Sequence, residues 1–357
     1  MGEIRLMKGN EAIAEAAIRA GCDAYFGYPI TPQSEILEYL TVADPEKHTG
    51  MIVLQAESEL AAINMVYGAA AAGKKVMTTS SSPGISLMQE GISYMAGAQL
   101  PGVIVNVVRG GPGLGTIQPS QSDYFQSTKG GGHGDYRLLV LAPASVQEMA
   151  DHVKLAFDLA FKYRNPVLIL SDGIIGQMME KVELFDPIPR SENLPDWAAC
   201  GKKNRSHNII TSLHLDASLH EKLNQQLKEK YARMQRDEVR YETYYCEDAE
   251  YLIVAYGSSA RICQKTVSIA RNHGIKLGLL RPITLFPFPS TAIANLAPQL
   301  QGILSVEMSH GQMVEDILLA TRQFPALKVE HYGRYGGVVP TPEEVYEAFT
   351  KLFIQFN

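Results

Sequence analysis

An α/β protein is predicted by short apolar runs alternating with helix-patterned segments, by polar glycine-rich stretches at the carboxyl ends of those runs, and by one interruption of the alternation. The first unit is expected to be a parallel sheet with helices on both faces, over residues 1–180. The interruption, 181–246, reads as an irregular and helical linker, and the pattern resumes over 247–357 as a second, smaller α/β domain.

Taken in order, Asn10 to Ala20 carries apolar positions Ala12, Ile13, Ala16, Ala17 and Ala20, with Gly21 just past its end, and reads as a helix. A strand follows at Asp23 to Gly27, and Tyr28-Pro-Ile-Thr-Pro32 then leads into a helix, with Thr31 at the N-cap. Strands are expected at Met51–Leu54, Lys75–Thr79, Gly102–Val107, Leu138–Leu141 and Val167–Leu170. Helices are expected from Gln55 to Gly73, after Pro83-Gly84 to about Ala98, and from Ser145 to Tyr163. In the linker, Pro187, Pro189 and Pro195 break regular structure, and His214 to Glu242 is a charged helical segment. Beyond it, strands at Tyr251–Tyr256, Ile275–Leu280 and Gly302–Glu307 alternate with helices at Ser258–Asn272, Gln312–Arg322 and Thr341–Phe353.

The segment Gln55 to Gly73 is unusual, because Leu60 to Ala72 is almost wholly apolar, as in an enclosed helix, yet Glu57 and Glu59 occupy its first turn. Acids there complement the helix dipole, and at spacing i, i+2 they point to different sides, so one can cap while the other faces a ligand. In parallel sheets ligands collect at strand carboxyl ends. Three polar stretches lie there: Thr31; Thr78 to Gly84, a tight turn or an anion nest; and Arg109 to Gly115. Arg109 beside a glycine loop suits a small carboxylate, or is a surface arginine. The loop continues for about 27 residues through Gln121-Ser-Asp123 to His133, which is expected to be exposed, a length that signals a function or a lid.

Composition sets limits. A net charge of −6 without basic runs argues against nucleic acid, and 46% hydrophobic with 20% charged residues is ordinary for a globular chain. Cys22, Cys200, Cys246 and Cys263 are too dispersed for a metal or iron–sulfur motif and read as reduced thiols in a cytoplasm. The N-terminus shows no signal-peptide pattern, Gly2 is a poor myristoylation match, and no apolar run reaches the ~20 residues of a membrane span.

Tyr28-Pro-Ile-Thr-Pro32, Gln55-Ala-Glu-Ser-Glu59, Gly68 to Gly73, Ser82-Pro-Gly84 and Val107-Val-Arg-Gly-Gly111 resemble, in order and spacing, the motifs of the 2-oxoacid:ferredoxin oxidoreductase alpha subunit. Their wording is most similar to the branched-chain, 3-methyl-2-oxobutanoate (2-oxoisovalerate) type. Ala255-Tyr-Gly-Ser258, Arg281-Pro-Ile-Thr-Leu-Phe-Pro287 and Val306-Glu-Met308 resemble a transketolase C-terminal domain. The resemblance implies a thiamine-diphosphate pyrimidine-type domain in which Glu59 shares a proton with the pyrimidine N1′, which an amide cannot do. It further implies cofactor contacts from Tyr28, Pro29, Ser82 and Gly84, and a substrate pocket lined by Thr31 and Arg109, the arginine pairing with the 2-oxoacid carboxylate.

A Gly-Asp-Gly diphosphate motif and a cysteine cluster are both missing from the sequence, so it reads as half of a shared site. The resemblance implies a beta subunit supplying the diphosphate and Mg²⁺ site and a [4Fe–4S] cluster, with gamma or ferredoxin-like subunits completing the electron path. It also implies two alpha copies per hetero-oligomer, ferredoxin as acceptor and coenzyme A as co-substrate. Alternatives are a 2-oxoglutarate-specific alpha subunit, a non-redox thiamine-dependent decarboxylase subunit, and a catalytically silent scaffold.

Overall fold

The computed structural model describes residues 3–191, 193–201, 205 and 207–354; Gly2, where the myristoylation pattern was read, lies outside them. The strands are β1 Glu3–Lys8, β2 Ala24–Gly27, β3 Ile52–Gln55, β4 Val76–Ser80, β5 Gly102–Val108, β6 Leu139–Leu141, β7 Pro166–Asp172 and β8 Met179–Leu184. They continue with β9 Tyr241–Tyr244, β10 Tyr251–Val254, β11 Leu277–Pro282, β12 Thr284–Phe286, β13 Gly302–Glu307 and β14 Lys328–Gly333.

Strand order in the large sheet is β12-β6-β7-β5-β4-β2-β3, and in the small sheet β14-β13-β10-β11-β9. The interior strands β4, β5 and β7 are buried along their whole length, as expected of strands covered on both faces. Every pairing within β2 to β7 is parallel, which places the polar stretches after β2, β4 and β5 at one edge. The last strand of that sheet, β12, comes from the C-terminal third and runs antiparallel to β6.

β9, from the segment expected to be irregular, pairs antiparallel with β11, after the helix Ala217–Asp237 that fills most of the charged stretch. Glu3 to Lys8 was given no element, yet it pairs residue for residue with β8 as a separate ribbon. The side chains of Ile4 and Leu6 stay exposed there, so this ribbon adds no apolar face to the core.

Two expectations about the helix read from Gln55 to Gly73 are corrected. It begins at Glu59, not Gln55, because Gln55 belongs to β3 and Ser58 is the cap, its hydroxyl accepting from Ala61 N at 3.1 Å. Glu57 therefore lies before the helix, exposed, and caps none of its amides; its carboxylate accepts from the hydroxyl of the capping Ser58 at 3.4 Å. The helix is also not enclosed: Leu60 is 47% and Met65 37% exposed, while Ala62, Ile63, Val66 and Ala70 are buried. Likewise Thr31 is not an N-cap, since the next helix is Ser34–Ala43 with Gln33 at that position.

Candidate functional site

The site lies where β2, β4 and β5 end. Gln33, fully buried, organises the first loop: its Nε2 donates to Tyr28 O at 3.1 Å, and its Oε1 accepts from Thr79 Oγ1 at 2.5 Å. Thr79 Oγ1 in turn accepts a hydrogen bond from the Tyr25 hydroxyl at 2.6 Å. An amide suits this position because it donates to a carbonyl and accepts from a hydroxyl at once. Gln33 carries no motif signal beyond its place after Pro32, and the sequence reading missed it.

Glu59 is 6% exposed, and its carboxylate has no hydrogen-bond or ion-pair partner among the described residues. Its side chain lies across Gly84, where any Cβ would collide with both the Glu59 carboxylate and the Ser80 hydroxyl. Glycine is required at that position by close approach. The Ser80 hydroxyl beside it, and those of Thr78 and Ser81 along β4 and its junction with the helix Ser82–Gly97, are buried and unpaired. Buried polar groups are normally satisfied, so this concentration marks a place that a ligand completes.

Ser82 joins that cluster to the arginine. Its hydroxyl accepts from Arg109 N at 3.1 Å and donates to Arg109 O at 3.3 Å, and its amide donates to Asn106 Oδ1 at 3.0 Å. Arg109 is 9% exposed, so it is not a surface residue. Its Nη1 donates to Thr31 O at 3.1 Å and its Nη2 to Leu114 O at 3.2 Å, while Nε is buried without a partner. Thr31 and Arg109 are thus together, but through the Thr31 carbonyl; the side chain of Thr31 is exposed. Tyr28 is held by its carbonyl, and Pro29 lies further out, in a groove with Ser34, Leu37, Glu38 and Gln55. The structure therefore gathers Glu59, Ser82, Gly84, Arg109 and Thr31 and leaves Pro29 at the margin.

A cleft of about 350 Å³ opens from Arg109 and Ser82 to the C-terminal domain, where Ser309, His310, Gln312 and Tyr335 form its far wall. His310 and Tyr335 stack at 4.2 Å between ring centroids. Asp123 lies in this cleft, its carboxyl accepting from Asn106 Nδ2 at 2.9 Å, and burial raises its pKa above the ordinary aspartate value against the hydrogen bonds that lower it. Asn106, central in the wholly buried β5, was hidden in an apolar run. His133 is exposed, as expected.

Residues 15–247 match the family model described as pyruvate flavodoxin/ferredoxin oxidoreductase, thiamine diphosphate-binding, and residues 249–345 match pyruvate:ferredoxin oxidoreductase core domain II. The chain is 54% identical to ketoisovalerate oxidoreductase subunit VorB of Methanothermobacter thermautotrophicus, covering 98% of this chain and 97% of the relative. It is 37% identical to 2-oxoglutarate synthase subunit KorA of Archaeoglobus fulgidus, covering 97% and 98%. The 2-oxoglutarate:ferredoxin oxidoreductase of Magnetococcus marinus, solved with 2-oxoglutarate, coenzyme A and succinyl-CoA bound, superposes with a TM-score of 0.85 at 27% identity, covering 98% of this chain and 65% of that one. A split-gene transketolase shares the fold at a TM-score of 0.60 and 14% identity, over 97% of each chain.

Fold and site define a thiamine-diphosphate pyrimidine-type domain followed by a smaller transketolase C-terminal-like domain. The resemblance read in the motifs is confirmed by both matched models and by relatives over nearly the full length. The chain belongs to the pyruvate flavodoxin/ferredoxin oxidoreductase family, the 2-oxoacid:ferredoxin oxidoreductases.

Proposed function

We propose that the chain is the alpha subunit of a 2-oxoacid:ferredoxin oxidoreductase, decarboxylating 3-methyl-2-oxobutanoate oxidatively with coenzyme A to an acyl-CoA and CO₂ while electrons leave to ferredoxin. The observation that carries this reading is Glu59, a buried residue whose carboxylate has no partner among the described residues and lies across Gly84. The residues fit an aminopyrimidine: an acid to share a proton with a ring nitrogen, small residues for close approach, and unpaired hydroxyls from Thr78, Ser80 and Ser81. Thiamine diphosphate, when bound, supplies the nucleophilic carbon and the electron sink that decarboxylation of a 2-oxoacid requires.

In this reading Glu59 holds the proton at the pyrimidine N1′, and Ser82 and Gly84 shape the wall, with Tyr28 and Pro29 at its edge. Arg109 pairs with the substrate carboxylate through its free Nε, held in place by the Thr31 and Leu114 carbonyls. Relatives at 54 and 56% identity named for ketoisovalerate, against 37% for one named for 2-oxoglutarate, support the branched-chain substrate. So does the cleft: Arg109 and His310 are its basic lining residues among those described, and Asp123 in the same wall disfavours a second carboxylate.

Among the described residues, no group of His, Cys, Asp and Glu is placed to hold a metal ion. By membership of the family, Mg²⁺ and [4Fe–4S] are assigned to the beta subunit, with gamma or ferredoxin-like subunits carrying electrons onward. We read the complex as a cytoplasmic hetero-oligomer with two alpha copies. No described helix is long and apolar enough to cross a membrane. The exposed Leu60 and Met65, on the helix that Glu59 opens, and the neighbouring Leu87 suit the beta-subunit contact.

The test is co-expression with the neighbouring beta-subunit gene and an assay of coenzyme-A-dependent viologen reduction across a panel of 2-oxoacids. The highest kcat/KM is expected for 3-methyl-2-oxobutanoate. A preference for 2-oxoglutarate overturns the substrate, and an active complex that releases aldehyde without reducing viologen overturns the redox assignment.

A further inference from the structure

Gln121 is 2% exposed, and every hydrogen-bonding group it carries is used on the C-terminal domain. Its amide donates to Met308 O at 2.9 Å, and its side-chain Nε2 to Tyr256 O at 2.9 Å. Its Oε1 accepts from Ser259 Oγ at 2.6 Å and from Met308 N at 3.0 Å, and its carbonyl accepts from the Tyr256 hydroxyl at 3.1 Å. Ser120 and Ser122 continue the seam, to Met308 O at 3.2 Å and from Gln312 Nε2 at 2.7 Å.

Two routes lead from this seam to Arg109. Backward, Pro119 forms a β-bridge with Arg109, and Gly110 N donates to Gln118 O at 2.9 Å, so the loop closes on itself as a narrow hairpin. Forward, Asp123 is tied to Asn106, which holds Ser82, which brackets the Arg109 backbone. The tip of the hairpin, Gly111 to Gly115, is exposed, while its stem at Gly110, Thr116 and Gln118 packs closely on Gly336 and Gly337 of the C-terminal domain.

We propose that Gln121 is a positioning residue through which the C-terminal domain sets the placement of Arg109, and hence the affinity for the 2-oxoacid carboxylate. This rests on the reading that Arg109 binds that carboxylate. Glutamine is needed because the site asks for a donor toward Tyr256 O and an acceptor toward Ser259 and Met308 on one planar group. A glutamate cannot donate, and it would bring a second carboxylate close to Asp172, which itself sits beside the same turn at Gly257.

The experiment compares wild type, Gln121→Ala and the milder Ser259→Ala in the complex with the beta subunit. A contact made equally in the ground and transition states appears in KM. About a tenfold rise in KM is expected for Gln121→Ala and about threefold for Ser259→Ala, with kcat kept within about twofold. Hydrogen exchange of the full chain provides a second readout: the Gly110 and Thr116 amides, which hold the hairpin, exchange faster in both variants, while Gly102–Val107 is unchanged. A fall in kcat at constant KM, or unchanged exchange at Gly110 and Thr116, overturns the proposal. If the wild-type complex shows no 2-oxoacid activity the functional reading fails, and the exchange result alone decides the positioning role.

Discussion

At the scale of single residues, the two acids that the sequence left side by side separate cleanly in space. Glu57 is exposed ahead of the helix, and Glu59 is buried against Gly84. Glu59→Gln is expected to lower turnover by about 10²–10⁴-fold with assembly intact, as for loss of a group that handles a catalytic proton. Glu57→Gln is expected to stay near wild type; steady-state kinetics of both, with gel filtration, check the contrast. Gly84→Ala forces Glu59 and Ser80 aside, and is expected to cost about 1–3 kcal/mol in a denaturation titration and to lower activity as well. The sequence exposed Glu59, Ser82, Gly84 and Arg109, because charge in an apolar run and glycine at a strand end are visible in one dimension. It concealed Gln33, Asn106 and Gln121, whose roles come from partners brought in by other elements.

At the scale of elements, the strands of the large sheet and the long helices were legible because their apolar runs are uninterrupted and bounded by Gly, Pro or Ser. Strands built of exposed or polar residues were not, and β9 and β14 belong to that kind; β12, at the edge of the large sheet, is buried but only three residues long, too short to show a pattern. The helix Val146–Tyr163 buries His152, whose Nδ1 lacks a partner, and burial lowers its pKa to about 4, opposed by Glu148 and assisted by Arg281 and Arg240. The ordinary value is the higher one, so the stability this group contributes is complete above about pH 6.5. It is lost as pH falls toward 4, because the unfolded chain takes up the proton first. Urea titrations are expected to show a loss of about 2 kcal/mol from this group between pH 7 and pH 5, and a flatter profile in His152→Leu.

For the whole molecule, the two α/β units meet through buried polar contacts. Arg281 grips Glu148 with both terminal nitrogens, at 2.8 and 2.6 Å, the Ser258 hydroxyl donates to Asp172 at 2.6 Å, and Tyr124 donates to Asp316 at 2.6 Å. Leaving any of these groups unpaired in the interior is costly, so the halves are expected to melt together. Scanning calorimetry should give one transition for the full chain, and two separate peaks would show that the units are independent. The shared strand adds a consequence in time. β6 has no neighbour on its outer side until Thr284 and Phe286 arrive, roughly 140 residues after Leu141. At ordinary synthesis rates of 5–20 residues per second, that edge of Leu139, Val140 and Leu141 waits about 7 to 30 s on the nascent chain. An unpaired apolar edge is a template for wrong pairing, so over this interval the nascent chain is open to mispairing at β6.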